Sequence, residues 1–331
     1  MSRDSVLGID IGGTSITADL VTCDGDLLET RRRRTGRGDA ALNTLEELIA
    51  ESADGAEARG SALRGIGVLS PGHVDEVSGR VHFASNLDWQ DVPLSDVLGR
   101  SPRIAGAPLA VGHDVRWAGI ADGAFGAARG VRDYVVLSIG TGIAACLVVD
   151  GAVLTGATGS AGEVGHATAV AGGDRCACGR VGCLDAYASG AGLLRRYAAR
   201  SGRTDVESVA DLIAVLDVDA DARAVWDEGI DALVTGLCTL IMTVDPTVVS
   251  LVGGVSQAGE RLTAPLGERL AAEAGWKSVP QLLVSPLQAI PGRAGAVLLG
   301  MRSAGLEEHG LTWSTDAVAA WQRSSPADGA R

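Results

Sequence analysis

The chain is poor in aromatic side chains, almost without lysine, and lacks any long apolar run. Phe, Tyr and Trp make up 3% of its 331 residues, so alanine, valine and leucine must fill the interior. At 46% hydrophobic residues and a mean hydropathy of +0.21 they can do so, and the length suits two domains rather than one. Lys277 is the sole lysine among 28 basic residues, so no other lysine can clamp a phosphate. No GxxxxGK[ST] run occurs, which excludes a P-loop. Nor is there an uninterrupted apolar stretch of about eighteen residues, which excludes a helical membrane span. The opening MSRDSVLGID has only a short apolar run, broken by Asp10, so no signal peptide is expected. Six cysteines in a chain of this length are no disulfide scaffold, and a reducing cytoplasm fits them. The net charge of −13, with a pI near 4.8, argues against nucleic acid and anionic membranes as partners. Arg31–Arg34 is the one basic cluster and reads as an exposed strand end.

One short stretch, by contrast, is dense in metal ligands: His166, Cys176, Cys178 and Cys183. An imidazole and three thiols suit a closed tetrahedral zinc site of structural type. The run GGDRCACGRVGC is rich in glycine and charge, a loop that a metal would fold. The alternative is three neighbouring loop cysteines without a metal. Glu163 lies three residues before His166, where the metal would hold it rigidly without touching it.

Strands are expected over 5–11, 15–22 and LLETRRRR, with an Asp24-Gly25 hairpin between the last two. An amphipathic helix over 39–59 and a strand over 64–69 follow, ending in the turn Ser70-Pro71-Gly72. The opening pattern then recurs: a strand over 134–139, the turn Gly140-Thr141-Gly142, the strand IAACLVV, the hairpin Asp150-Gly151 and AVLTG. A further strand over 247–252 ends at Gly253-Gly254. Helices fit 186–200, 206–216, 222–244, 257–273 and 294–305. Two α/β halves with similar openings suggest a duplication with a cleft between the halves. The tail after Leu306, with Trp313 and Trp321, leaves its own packing open.

Three glycine loops carry the candidate phosphate contacts. In the first, Asp10 precedes Gly12, Gly13 and Thr14; backbone N–H groups and a hydroxyl face outward, and the carboxylate makes sense if Mg²⁺ or its water shell intervenes. The second, Gly140, Thr141 and Gly142, repeats the donors without the acid. The third, Gly253-Gly254, lies between a strand and a helix, where a nucleoside could rest. Singly, each is as readily an ordinary glycine turn.

DIGGT at 10–14, SIGTG at 138–142, ExGH at 163–166, CxCGxxGC at 176–183 and LVGGV at 251–255 together resemble the ROK family of sugar kinases and repressors, over roughly residues 5–305. The resemblance implies the two-domain actin-like ATPase (ribonuclease H-like) α/β fold, with a cleft between the domains. The expected division is a small domain of 1–113 plus 292–331 and a large domain of 114–291 carrying the zinc loop. It implies phosphorylation of a hexose at its 6-hydroxyl by ATP with Mg²⁺, a structural Zn²⁺ held by His166, Cys176, Cys178 and Cys183, and a homodimer. Asp114 takes the place of the catalytic base; Gly72, Asn86, His113, Glu163, His166 and Asp185, with Asp114, take the places of sugar contacts. On the residues alone, Asp114 could instead cap a helix over Val115–Gly123, Asn86 could be a turn former and Glu163 a surface acid.

Three departures from the family pattern stand out, and those at His113 and Asp185 touch the sugar shell. His113 replaces the usual asparagine, Asp185 the usual glutamate, and Ser15 a common lysine. Glucose is the first expected substrate; the alternatives are an amino or N-acetyl hexose (kanosamine or N-acetylmannosamine) and a non-catalytic sugar sensor or repressor. The repressor reading lacks an N-terminal helix-turn-helix, since DIGGT begins at residue 10.

Overall fold

The computed structural model describes residues 4–104, 106–288 and 290–324. The first three and last seven residues, which the expected small domain included, lie outside the described residues. The chain forms two compact units: Met1–Arg129 with Thr155–Ser160 and Ile290–Arg331, and Gly130–Leu154 with Ala161–Ala289.

The first unit opens with β1 (Asp4–Ile11), β2 (Ser15–Thr22), β3 (Leu27–Arg34), helix α1 (Asp39–Ala58) and β4 (Ala62–Ser70). Val6, Leu7, Ile9 and Ile11 of β1 are wholly buried, as the apolar run requires. Leu45, Leu48 and Ile49 form the buried face of α1. The arginines of β3 stand at an exposed strand end, as expected, with Arg32, Arg33 and Arg34 open to solvent. Arg31 and Arg33 pair with Glu51 of α1, and Arg32 Nε donates to Ser15 Oγ (2.9 Å). Three short strands follow that the pattern did not reveal: β5 (His73–Asp75), β6 (Arg80–Ala84) and β7 (Trp89–Val92), a small sheet of their own. Then come α2 (Leu94–Gly99), β8 (Leu109–His113) and α3 (Asp114–Phe125). The main sheet runs β3-β2-β1-β4-β8, with β1, β4 and β8 parallel. Asp10 registers with Leu69, and Leu69 with Gly112, so β1, β4 and β8 all release the chain at one edge.

The second unit repeats this plan with β9 (Tyr134–Ile139), β10 (Ile143–Val149) and β11 (Ala152–Val153). The helices α4 (Leu184–Ala188), α5 (Gly190–Ser201), α6 (Val209–Val215) and α7 (Ala220–Val244) lead to β12 (Val248–Val252), α8 (Glu260–Ala274) and β13 (Gln281–Val284). The sheet order β11-β10-β9-β12-β13 is that of the first unit element for element, with β9, β12 and β13 parallel. The expected helix over 186–200 is two helices. Ser189 is extended (φ −69°, ψ 158°) and its hydroxyl caps α5 by accepting from Gly192 N–H (3.0 Å).

Helix α9 (Pro291–Ser303) returns to the first unit and lies on glycines. A Cβ at Gly8 would come within 2.5 Å of Val297 N, and Gly65 and Gly67 abut Gly300 and Ala296 in the same way. On its other side α9 meets α3, where a Cβ at Gly295 would lie 2.5 Å from the backbone of Trp117. That packing carries α3 into the first unit, so the break falls after Arg129 and not at the expected 113/114. Thr155–Ser160 joins the same unit because His73 Nε2 bonds Thr158 O (2.6 Å) and Arg116 Nη2 donates to Gly159 O (2.7 Å). The tail packs. Trp313 stacks on Phe125 (6.4 Å, 15°) and meets Trp321 edge-on (6.0 Å), and the two indole N–H groups donate to Cys23 O and Gly25 O of the first hairpin. Among the described residues no helix is long and apolar enough to cross a membrane.

Candidate active site

At the shared edge of the first sheet, β1 ends in the Asp10–Thr14 loop, β4 in Pro71-Gly72, and β8 in His113-Asp114. Ligands of open α/β sheets gather outside such strand ends. Gly12 N–H donates to Ser15 O (3.0 Å), which closes the loop and leaves Gly13 and Thr14 exposed. Gly72 is left-handed (φ +91°), and a Cβ there would strike Phe83 O of β6, so only glycine fits this wall. Asn86 sits half-buried in the turn between β6 and β7, and its amide makes no hydrogen bond among the described residues.

Asp10 is a strongly perturbed acid at this edge. Burial above all, then the carboxylates of Asp114 and Asp19, push it up to about 7, against the pull of Arg293. Behind it, Arg293 Nε and Nη2 donate to Asp19 Oδ2 and Oδ1 (both 2.6 Å), a buried pair that Thr30 joins by donating to Asp19 Oδ1 (2.7 Å). Sequence reasoning did not single out Asp19 or Arg293, which lie 274 residues apart. A carboxyl so poised is only partly ionised near neutral pH, and a nearby cation would favour its charged form. Its folded pKa lies above the ordinary 3.8, so folding takes up a proton; the benefit is full below about pH 4 and is lost as pH rises through about 7. Asp10→Asn, which buries no charge, should therefore melt higher than the parent at pH 8 by several degrees, roughly, in the absence of nucleotide. The gap should close towards pH 4; calorimetry across that range checks it.

His113 and Asp114 divide the work at the start of α3. His113, not Asp114, is the N-cap: Arg116 N–H donates to its Nδ1 (3.3 Å), which lies 3.6 Å from Asp114 Oδ1. Asparagine, the residue this histidine replaces, is itself a favoured cap. Asp114 opens the first turn and accepts from Val115 N–H (2.7 Å). Glu76, just past β5, braces the start of α3. Its Oε1 accepts from His113 N–H (3.1 Å) and from Arg116 Nη1, and its Oε2 accepts from Trp117 Nε1 (3.4 Å). No linear pattern points to Glu76, whose partners lie 37 to 41 residues away. Arg116 has a side chain only 7% exposed, so Glu76→Gln would leave a nearly buried cation without its counter-charge. That variant should melt lower by on the order of 5–10 °C, and a thermal scan against the parent checks it.

In the second unit, β9 and β12 run parallel, so the Gly140–Gly142 loop and Gly253-Gly254 leave the sheet at one edge. Gly253 is left-handed (φ +93°), and a Cβ there would lie 2.6 Å from Ile139 O. Gly140 N–H donates to Gly142 O (2.9 Å), the same closure as in the first loop. The N–H groups of Thr141 and Gly142 make no hydrogen bond among the described residues, so they are available to an anion. Lys277 is ion-paired with Asp245.

The ligand atoms of His166, Cys176, Cys178 and Cys183 all lie within 4.8 Å of one another. Cys178 Sγ and Cys183 Sγ are 3.7 Å apart, and Cys176 Sγ is 3.9 Å from His166 Nδ1. Ligands about 2.3 Å from a tetrahedral ion have edges close to this length. Burial and the thiols of Cys178 and Cys176 push the Cys183 thiol up to about 12, so three thiolates would not share this space without a cation. The four residues fit a closed metal site. Glu163 occupies the N-cap position of the short helical turn Val164–His166. Burial above all, with a smaller push from Glu163, holds the Asp185 carboxyl above the usual range against the pull of the Ile143 N–H bond, His166 and Arg195. Glu163, His166 and Asp185 are thus neighbours, but Asp185 is already engaged: its Oδ1 accepts from Ile143 N–H (2.8 Å).

Comparison with known proteins agrees with this construction. The ROK family model matches residues 6–301. The chain is 33% identical to a glucokinase from Thermotoga maritima over 289 residues, 82% of this chain and 88% of that one. It also resembles the crystal structure of a ROK family glucokinase from Streptomyces griseus in complex with glucose and AMPPNP (TM-score 0.77, 28% identity, 90% of this chain and 99% of that chain). The ROK hexokinase from Thermus thermophilus matches with a TM-score of 0.75 and 31% identity, over 91% of this chain and 99% of the other. With twin sheets of one strand order, glycine loops at their edges and a Cys₃His cluster beside an ExGH turn, the chain has the two-domain actin-like ATPase fold and belongs to the ROK family.

Proposed function

We propose that this protein is an ATP-dependent hexose kinase that phosphorylates the 6-hydroxyl, with glucose as its first substrate. One observation carries the reading: Asp10 and Asp114 leave the same sheet edge close enough for the second to raise the pKa of the first. One carboxylate is thereby suited to a cation and phosphate, the other to a hydroxyl proton.

Phosphoryl transfer asks for alignment and charge neutralisation more than for covalent chemistry. Gly72, Asn86, His113, Glu163, His166 and the unengaged oxygen of Asp185 orient the sugar. Asp114 accepts the proton of the attacking hydroxyl as the new oxygen–phosphorus bond forms and ADP departs. Thr14 and the N–H groups of Gly13, Thr141 and Gly142 hold phosphate oxygens, Gly12 and Gly140 close the two loops with theirs, and Gly253-Gly254 supports the nucleoside. Asp10 would face the Mg²⁺ bound with ATP, or its water shell, and that ion would neutralise phosphate charge. The Cys₃His metal is read as zinc on ligand type and edge length, and it shapes the Glu163–His166 turn without entering the chemistry. The net charge of −13 supports a reading without nucleic acid or anionic membrane, and six free cysteines support a reducing cytoplasm. The homodimer implied by the family resemblance is part of this reading.

A second reading, a kinase for an amino or N-acetyl hexose, draws on Asp185, which offers a sugar one oxygen where the family's glutamate is longer and Ile143 N–H has taken the other. ADP release from Mg-ATP decides between them across glucose, mannose, allose, N-acetylmannosamine, N-acetylglucosamine and 3-amino-3-deoxyglucose. Preference for glucose supports the first reading and preference for an amino sugar the second. Nucleotide binding with no turnover on any sugar would overturn both in favour of a sensor.

A further inference from the structure

The Gly140–Gly142 loop is held from behind by the helices that follow the metal cluster, and Asp185 is the side chain that does the holding. Cys183, the last metal ligand, is the N-cap of α4, and Asp185 lies in the first turn of that helix. Its Oδ1 accepts from the N–H of Ile143, the first residue after the loop (2.8 Å), and lies 3.2 Å from where a Cβ on Gly142 would stand. The joint between α4 and α5 completes the grip. Gly190 N–H donates to Gly140 O (2.8 Å) and Ala191 N–H to Thr141 O (3.4 Å). Ser189 Oγ fixes the joint itself, donating to Asp185 O (2.7 Å) while accepting from Gly192 N–H (3.0 Å). The carbonyls of Gly140 and Thr141 are thus turned towards the helices and tied there. The N–H groups of Thr141 and Gly142 are left facing away, as a phosphate cradle needs. Ile143 is 4% exposed, so its N–H has no ready water to replace the carboxylate.

We propose that Asp185 is a positioning residue for the phosphate loop: it holds Gly140–Gly142 in its anion-binding shape and so governs nucleotide affinity even when no sugar is present. This deepens the kinase reading and rests on it. The family position alone points to the sugar; the hydrogen bond points to the nucleotide as well.

The test measures binding of Mg-AMPPNP and, separately, of glucose by titration calorimetry, each ligand alone, on the full chain with its metal content assayed. Asp185→Ala should weaken Mg-AMPPNP roughly tenfold, the scale of one buried donor left unsatisfied. Asp185→Asn keeps an acceptor oxygen for Ile143 N–H and should stay within about threefold of the parent for the nucleotide. Asp185→Ser, too short to reach Ile143, replaces the alanine variant if that one does not fold and should match its expected loss. A purely sugar-binding Asp185 would give the opposite division, with glucose weakened and Mg-AMPPNP unchanged in the Ala or Ser variant, and that result overturns the proposal. Equal nucleotide loss in the Asn and Ala variants overturns it too, since charge rather than the hydrogen bond would then be at work. If the parent itself binds no Mg-AMPPNP, the kinase reading falls before any variant is compared.

Discussion

Asp114→Asn should lower kcat for sugar phosphorylation by at least ~10²-fold while sugar binding survives. The size follows from removing the group that takes the hydroxyl proton; an amide cannot accept it at neutral pH. The survival of the fold follows from the division of labour at the start of α3. His113 supplies the cap, and the amide oxygen of asparagine can still accept from Val115 N–H. The glutamate brace on His113 and Arg116 is likewise untouched. A second effect has the opposite sense: Asp114 is one of the two carboxylates that push Asp10 up, so the variant should let Asp10 ionise at lower pH and melt slightly higher near pH 7 in the absence of nucleotide. Steady-state kinetics, glucose titration and calorimetry on one preparation check all three. Turnover near that of the parent would remove Asp114 as the base.

Removal of the Cys₃His metal should have the largest effect on stability. Cys176 and Cys183 are counted in the buried core of the second unit, and the loop around them has almost no regular structure of its own. In such loops the free energy of metal binding is folding free energy. Cys183→Ser should lower Tm by on the order of 10 °C or more, with metal content falling below one ion per chain. Prolonged chelation of the parent should reach the same state. Nucleotide affinity should drop with it, since the helix capped by Cys183 carries the Asp185 that ties the loop. Elemental analysis, circular dichroism and nucleotide titration report these outcomes. Unchanged stability in a verified metal-free protein would mean that the cluster is not structural.

How much of this was legible without coordinates depended on the range of each interaction. The Cys₃His cluster, the glycine turns at the strand ends and the doubled opening are local in the chain, so spacing and composition reveal where they lie. The main strands were legible because buried runs such as YVVLSI are apolar throughout and end in glycine turns. The small sheet was not, because HVD, RVHFA and WQDV are short, mix charge with apolar residues and are half exposed. Strand β13 escaped for the same reason, four residues with none buried. The join of α3 to the first unit was hidden because it rests on a glycine meeting a tryptophan backbone 178 positions earlier, Gly295 against Trp117. Glu76, Asp19 and Arg293 were invisible for a related reason: each acts on a partner remote in sequence, and nothing in its own neighbourhood is unusual. Asp185 was legible as a member of the site but not in its orientation, which only the bond to Ile143 reveals.

The packed tail has a spectroscopic consequence. Of the tryptophans, Trp89, Trp117, Trp313 and Trp321 are buried in the first unit, whereas the second holds buried Trp226 and Trp276, which is 89% exposed. Emission from Trp276 is already that of an indole in water and will change little on unfolding. The blue-to-red shift of the intact protein is therefore weighted towards the unit that holds Asp10 and Asp114, with Trp226 the lone buried tryptophan in the unit that holds the Cys₃His cluster. Fluorescence melting curves will track the first half of the molecule and understate the loss of the second, so a chelated sample can look folded by its tryptophans while its metal loop has already come apart.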